Sequence, residues 1–170
     1  MTNDPGKLSL EEEVVNLLAK RHLTVSTAES CTGGLLSGRI INVAGASDVI
    51  NIGFVTYSNE AKMEYLGVRK ETLDLYGAVS EQTAREMVAG LVRKTGSDAA
   101  LSTTGIAGPD GGTPEKPVGL VYIGCNVCGR ITVEECRFDG DRMQVRQQSV
   151  TEALTLLRNC LIENMENGSE

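Results

Sequence analysis

The chain predicts a single α/β domain, and three observations carry that expectation. Helix-like and strand-like segments alternate over most of its length. The strand-like segments are short and bounded by glycine or small polar residues. Two of them come late and adjacent, as a hairpin. At 170 residues, 41% of them hydrophobic, the chain is long enough for one well-buried core and short for two. No internal repeat, linker or low-complexity stretch interrupts it.

The first helix opens on a capping box, Ser9 with Glu12 three residues on, and its apolar stripe is Leu10, Val14, Leu17 and Leu18. It runs out near Arg21-His22. A strand over residues 24–28 leads through Ser30 and a glycine pair into a short helix holding Leu35, Leu36, Ile40 and Ile41, which Gly45 ends. Residues 49–57 read as a second strand, rich in β-branched and aromatic side chains. Ser58 or Asn59 then caps a helix carrying Ala61, Lys62, Tyr65 and Leu66, and residues 71–76 form a weaker helical turn. Ser80 opens the clearest helix, with Ala84, Met87, Val88, Leu91 and Val92 on one face and Gly96 at its end. Residues 99–104 suit a buried strand of small side chains. A glycine- and proline-rich loop, residues 105–114, precedes two strands over 118–127 and 131–138, joined through Cys128-Gly129. A last helix starts within 139–141 and buries Val150, Ala153, Leu154, Leu157 and Leu161; residues 1–8 and 165–170 read as flexible tails.

Composition narrows the function. A net charge of −7 argues against a protein that grips a nucleic-acid backbone, but leaves room for a local basic pocket that takes one small anion. No segment is apolar for long enough to span a membrane, and residues 1–7 lack the basic-then-apolar layout of a signal peptide, so the expectation is cytoplasmic. Of the five cysteines only Cys125 and Cys128 are close in sequence. Cys136 and Cys160 do not supply the second close pair of a zinc ribbon, and scattered reduced thiols, with no metal, are the reading.

The richest stretch chemically is Thr27-Ala28-Glu29-Ser30-Cys31-Thr32-Gly33-Gly34. A serine at such a strand-to-helix turn lies beside backbone N–H groups that have no partner within the helix and can hold an anion or a developing oxyanion. As a nucleophile it needs a base. The sole histidine, His22, ends the first helix, which disfavours a Ser-His-Asp triad. A neutral lysine is the other solution, and Lys62 follows a strand whose carboxyl end would lie beside that of the first strand if the two are parallel neighbours. Tyr57, at the same strand end, could relay a proton or donate to an oxyanion. Each residue also has a plain reading: Ser30 as an N-cap, Lys62 as a solvated helix lysine, Tyr57 as a packed strand residue.

Several segments, in order along nearly the whole chain, resemble the CinA C-terminal domain family in its stand-alone form, the nicotinamide-nucleotide amidase. They are residues 27–34, 53–62, 77–80, 104–112, 116–119 and 140–146. The resemblance implies a three-layer α/β/α sandwich with a mixed, mostly parallel sheet of about five strands, and a homodimer without cofactor. It implies hydrolysis of nicotinamide mononucleotide to nicotinic acid mononucleotide and ammonia, with Ser30 as nucleophile, Lys62 as general base and Tyr57 as helper. Thr32, Gly33 and Gly34 would then bind the substrate's oxyanion. The substrate's phosphate would then need a home, for which the 104–112 loop, with Thr104, Gly105, Ile106 and Ala107, offers N–H groups and Arg142 offers charge, with Arg146 either beside the phosphate or on a solvated face. Three alternatives stay open: Cys31 as the nucleophile, a different small amide as substrate, and a non-catalytic binding module in a DNA-damage or competence assembly.

Overall fold

The computed structural model describes residues 7–167. In chain order the elements are α1 (Leu10–Lys20), β1 (Val25–Glu29), α2 (Leu35–Ile41), a single 3-10 turn (Ala46–Asp48), β2 (Ile50–Val55), α3 (Asn59–Leu66), α4 (Lys70–Tyr76), α5 (Glu81–Thr95), β3 (Ala99–Gly105), β4 (Leu120–Val127), β5 (Arg130–Arg137) and α6 (Arg142–Asn167).

The strands form one sheet in the order β2-β1-β3-β4-β5. β1 runs parallel to both β2 and β3, and β4 is antiparallel to β3 and β5, so four of the five strands point the same way. β1 is buried at every position, as a strand covered on both faces must be. Helices α1, α2 and α6 cover one face, where Leu18, Leu36, Ile40, Leu154 and Leu157 pack on Val25, Leu101 and Ile123. Helices α3, α4 and α5 cover the other, where Leu66, Leu73, Met87 and Leu91 meet Ala28 and Ala100. The three-layer sandwich and its mixed, mostly parallel sheet are as expected.

Local chemistry sets the element boundaries. The α1 capping box is complete: the Ser9 N–H donates to Glu12 Oε2 at 2.7 Å and the Glu12 N–H to Ser9 Oγ at 3.4 Å. Ser58 caps α3 by accepting the Ala61 N–H at 3.0 Å, and Gly96 closes α5 at φ 69°. Cys128 and Gly129 both have positive φ, the twist that two-residue hairpins favour. Strand ends shift by one or two residues from expectation, β2 for example closing at Val55 and not at 57, and three other boundaries differ for identifiable reasons. α2 stops at Ile41, and Gly45 opens the 3-10 turn. β4 starts at Leu120 because Gly119, at φ +93°, passes so close to the Phe138 carbonyl that a Cβ there would lie 2.0 Å from its oxygen. The last helix continues through Asn167, where a tail from residue 165 was expected; residues 1–6 and 168–170 lie outside those described. Among the described residues no helix is long and apolar enough to cross a membrane.

The connection from β1 to β2 passes through α2 on one face, and that from β2 to β3 through α3, α4 and α5 on the other. Strand order therefore reverses at β1, and the carboxyl ends of β1 and β3 flank the crevice where open α/β sheets bind their ligands.

Candidate active site

Ser30 follows the last residue of β1, and its N–H extends the ladder by donating to Thr103 O at 3.0 Å. On the other side of β1, the Thr56 N–H donates to Glu29 O at 2.8 Å, which carries the β2 chain past Ser30 and into α3. Lys62, one turn into α3, folds back toward the sheet and is 1% exposed. Its Nζ lies 3.1 Å from Ser30 Oγ, and donates to Thr56 O at 2.9 Å and, more weakly, to Tyr57 O at 3.5 Å. A neutral amine has two N–H donors and one lone pair, so two carbonyls and one hydroxyl are the partners it can satisfy. Burial holds the Lys62 amine below its ordinary value of 10.5, with the neighbouring Cys31 acting weakly in the opposite sense.

These groups form the floor of a cavity of about 300 Å³. Ser30, Cys31, Tyr57 and Lys62 line it from the β1 and β2 ends. Thr104, Gly105, Ile106, Ala107, Gly108, Asp110 and Gly111 line it from the end of β3, and Arg142 from the start of α6. At the rim Tyr57 is 63% exposed, and its hydroxyl accepts from Arg142 Nη2 at 3.1 Å while Arg142 Nη1 donates to Gly108 O at 2.7 Å. The amides of Cys31, Ala107 and Gly108 donate to no other residue among those described.

The family of CinA C-terminal domains matches residues 7–161. A CinA-like protein from Kosmotoga olearia is 56% identical over 157 residues, covering 92% of this chain and 38% of that protein. A putative competence-damage inducible protein from Clostridium novyi is 55% identical over the same coverage. The chain belongs to the CinA C-terminal domain family. It spans 38% of the length of those two relatives. Among solved structures it resembles a CinA superfamily protein from Klebsiella pneumoniae, with TM-score 0.87 and 38% identity over 91% of this chain and 96% of that one. The competence/damage inducible protein CihA from Agrobacterium tumefaciens gives TM-score 0.86 and 43% identity over 95% and 99%.

Within this CinA domain Ser30, Lys62, Tyr57, the 104–107 segment and Arg142 share one cavity. Thr32, Gly33 and Gly34 do not line it. The reason is Glu29, whose Oε2 accepts the Thr32 hydroxyl at 2.6 Å, the Gly34 N–H at 2.9 Å and the Leu36 N–H at 3.1 Å. Of the amides expected to face an oxyanion, that of Gly34 is thus already bound, and Thr32 is held through its hydroxyl. Gly33 faces outward beside Arg146, which sits neither at the cavity nor on a solvated face: it donates to Cys31 O at 3.0 Å and Thr32 O at 2.9 Å. The Cys31 thiol packs into the core and burial pushes it up to about 11, against the lowering that a helix N-terminus alone would give. Glu29 is the residue that sequence reasoning missed, and Arg146 was named there in a different role. The available signal was Gly34, which opens α2 without a side chain to cap it, so the cap had to come from elsewhere.

Proposed function

We propose that this CinA domain is an amidohydrolase that converts nicotinamide mononucleotide to nicotinic acid mononucleotide and ammonia. The observation that carries this reading is the buried Lys62 amine 3.1 Å from Ser30 Oγ. Lowered by burial, Lys62 takes the hydroxyl proton as Ser30 Oγ attacks the carboxamide carbon. The C–N bond then breaks, and the Lys62 ammonium returns the proton to the leaving ammonia. Water, deprotonated by the same amine, cleaves the resulting ester and frees Ser30. Negative charge on the carbonyl oxygen draws on the Cys31 amide, next to the nucleophile, and on the Ala107 and Gly108 amides across the cavity. One such donor is typically worth about 3 kcal/mol.

Arg142 supports a phosphate-bearing substrate. It stands at the rim with its guanidinium fixed by Tyr57 and Gly108, and its remaining N–H groups suit phosphate oxygens. Incubation with nicotinamide mononucleotide, its riboside and free nicotinamide, with mass detection of the deamidated products, tests the reading. The expectation is turnover of the mononucleotide above the other two, lost in Ser30→Ala and Lys62→Ala. Turnover that survives Ser30→Ala, or none of any amide, contradicts it.

A further inference from the structure

Glu29 is 0% exposed, lies directly before Ser30, and forms no ion pair among the described residues. Such a carboxylate is costly to bury unless its lone pairs are filled. Here five donors fill them. Beyond the three on Oε2, Oε1 accepts the Ser37 N–H at 2.8 Å and the Ser37 hydroxyl at 2.7 Å. Three of the five are amides at the start of α2, where the helix dipole favours a negative charge. Glu29 thus caps α2 from five residues upstream, and residues 30–34 must loop back between the carboxylate and the helix it holds. Gly33 and Gly34, at φ +58° and +100°, make that reversal sterically possible.

Successive strand residues face opposite ways. Thr27 and Glu29 point toward the α2 side, where Ser37 binds both, while Ala28 packs on the α5 side. Ser30 continues the alternation toward α3 and Lys62. Fixing Glu29 on one face therefore fixes Ser30 on the other. The Thr32 hydroxyl, also 2.8 Å from Thr103 Oγ1, ties the same carboxylate to β3, and Arg146 holds the turn's carbonyls from α6.

We propose that Glu29 is the positioning residue for the nucleophile. Through its five accepted hydrogen bonds it sets the turn that aims Ser30 Oγ at the Lys62 amine. It touches neither substrate nor the reacting atoms. The proposal rests on the Ser30–Lys62 reading above, and the test below keeps the two apart.

Glu29→Gln keeps the shape but replaces one acceptor oxygen by an NH₂ group, which must face either the Ser37 donors or the Thr32, Gly34 and Leu36 donors. Ser37→Ala is the milder companion that removes one donor and leaves the carboxylate. The first readout is the rate of Ser30 labelling by a fluorophosphonate, which reports nucleophile placement without an amide substrate. The second is the division of any activity loss between kcat and KM. We expect Glu29→Gln, folded by circular dichroism, to label about tenfold or more slowly and to lose kcat by a similar factor, with KM within about twofold, because a displacement near 1 Å at a reacting group costs up to about a hundredfold. Ser37→Ala should show a smaller loss of the same pattern and carries the test if Glu29→Gln does not fold. Labelling of the variants at the wild-type rate, or a loss confined to KM, overturns the proposal. A wild type that labels but turns over no amide contradicts the proposed function and leaves the labelling comparison in force. A wild type that does not label overturns both.

Discussion

Gly90 lies on α5 where that helix crosses the end of α3, and a Cβ built there would sit 1.7 Å from Leu66 O and 2.7 Å from Leu66 C. Both are backbone atoms, so no side chain can rotate away, and the two helices must separate by about 1.7 Å to restore an ordinary contact of 3.4 Å. Overpacking of this kind costs about 1–3 kcal/mol, and backbone against backbone puts it at the upper end. The helix-propensity gain of alanine over glycine returns about 1 kcal/mol. Gly90→Ala should therefore destabilise the fold by about 2 kcal/mol, a fall in Tm of about 4–8 °C for a chain of this size. The displacement also reaches the site, because Lys62 is on α3 and its carbonyl accepts the Val68 N–H just past the crossing. Activity should fall by about ten- to a hundredfold in kcat. Gly38→Ala is the control: it sits within α2 with nothing in 4 Å of its Cβ, and should raise Tm. Thermal unfolding of both variants, followed by ammonia release from nicotinamide mononucleotide, is the assay. A Gly90→Ala protein that melts within 1 °C of wild type, or above it, would refute the packing argument and the link from α5 to Lys62.

Lys62→Met should lower kcat by about 10²–10⁴-fold, the usual worth of a general base. Because the folded amine lies below 10.5 and the unfolded one does not, the unfolded chain binds the extra proton between those values. Wild-type stability thus gains with rising pH toward 10.5 by up to about 1.4 kcal/mol per pH unit, and Lys62→Met lacks that component. Paired melts from pH 7 to 10 should show wild type gaining on the variant; parallel curves would deny the depressed value. Iodoacetamide at pH 8 should alkylate Cys160, lowered to about 7 chiefly by the Cys125 thiol, well before Cys31, held at about 11 by burial. Activity should outlast the first modification, and peptide mapping reads the order. Arg142→Ala should raise KM for the mononucleotide by about ten- to a hundredfold, the worth of a hydrogen bond to a charged group, with the riboside unaffected, as steady-state kinetics on both would report.

The sequence made the fold legible because its local signals agree with one another. The Ser9–Glu12 box, the Ser58 and Ser80 caps and the Gly96 stop each act within a few residues. Ser30 and Lys62 were legible as a pair only through the supposition that β1 and β2 are parallel neighbours, which their register bears out. The role of Glu29 in the turn after Ser30 was not legible, because helix-start amides are free by default and only the fold brings this side chain to those of Gly34, Leu36 and Ser37. Arg146 was beyond local reading for the same reason: its partners, Cys31 and Thr32, are more than a hundred residues away in the chain.

Everything catalytic in this account depends on Ser30 Oγ becoming an ester while Lys62 holds its proton. Rapid acid quench during turnover of nicotinamide mononucleotide, followed by intact-mass and peptide analysis, looks for that ester. The expected result is an acyl adduct on the Ser30 peptide, absent in Ser30→Ala and strongly reduced in Lys62→Ala. An adduct on Cys31, or turnover with none on Ser30, would contradict it.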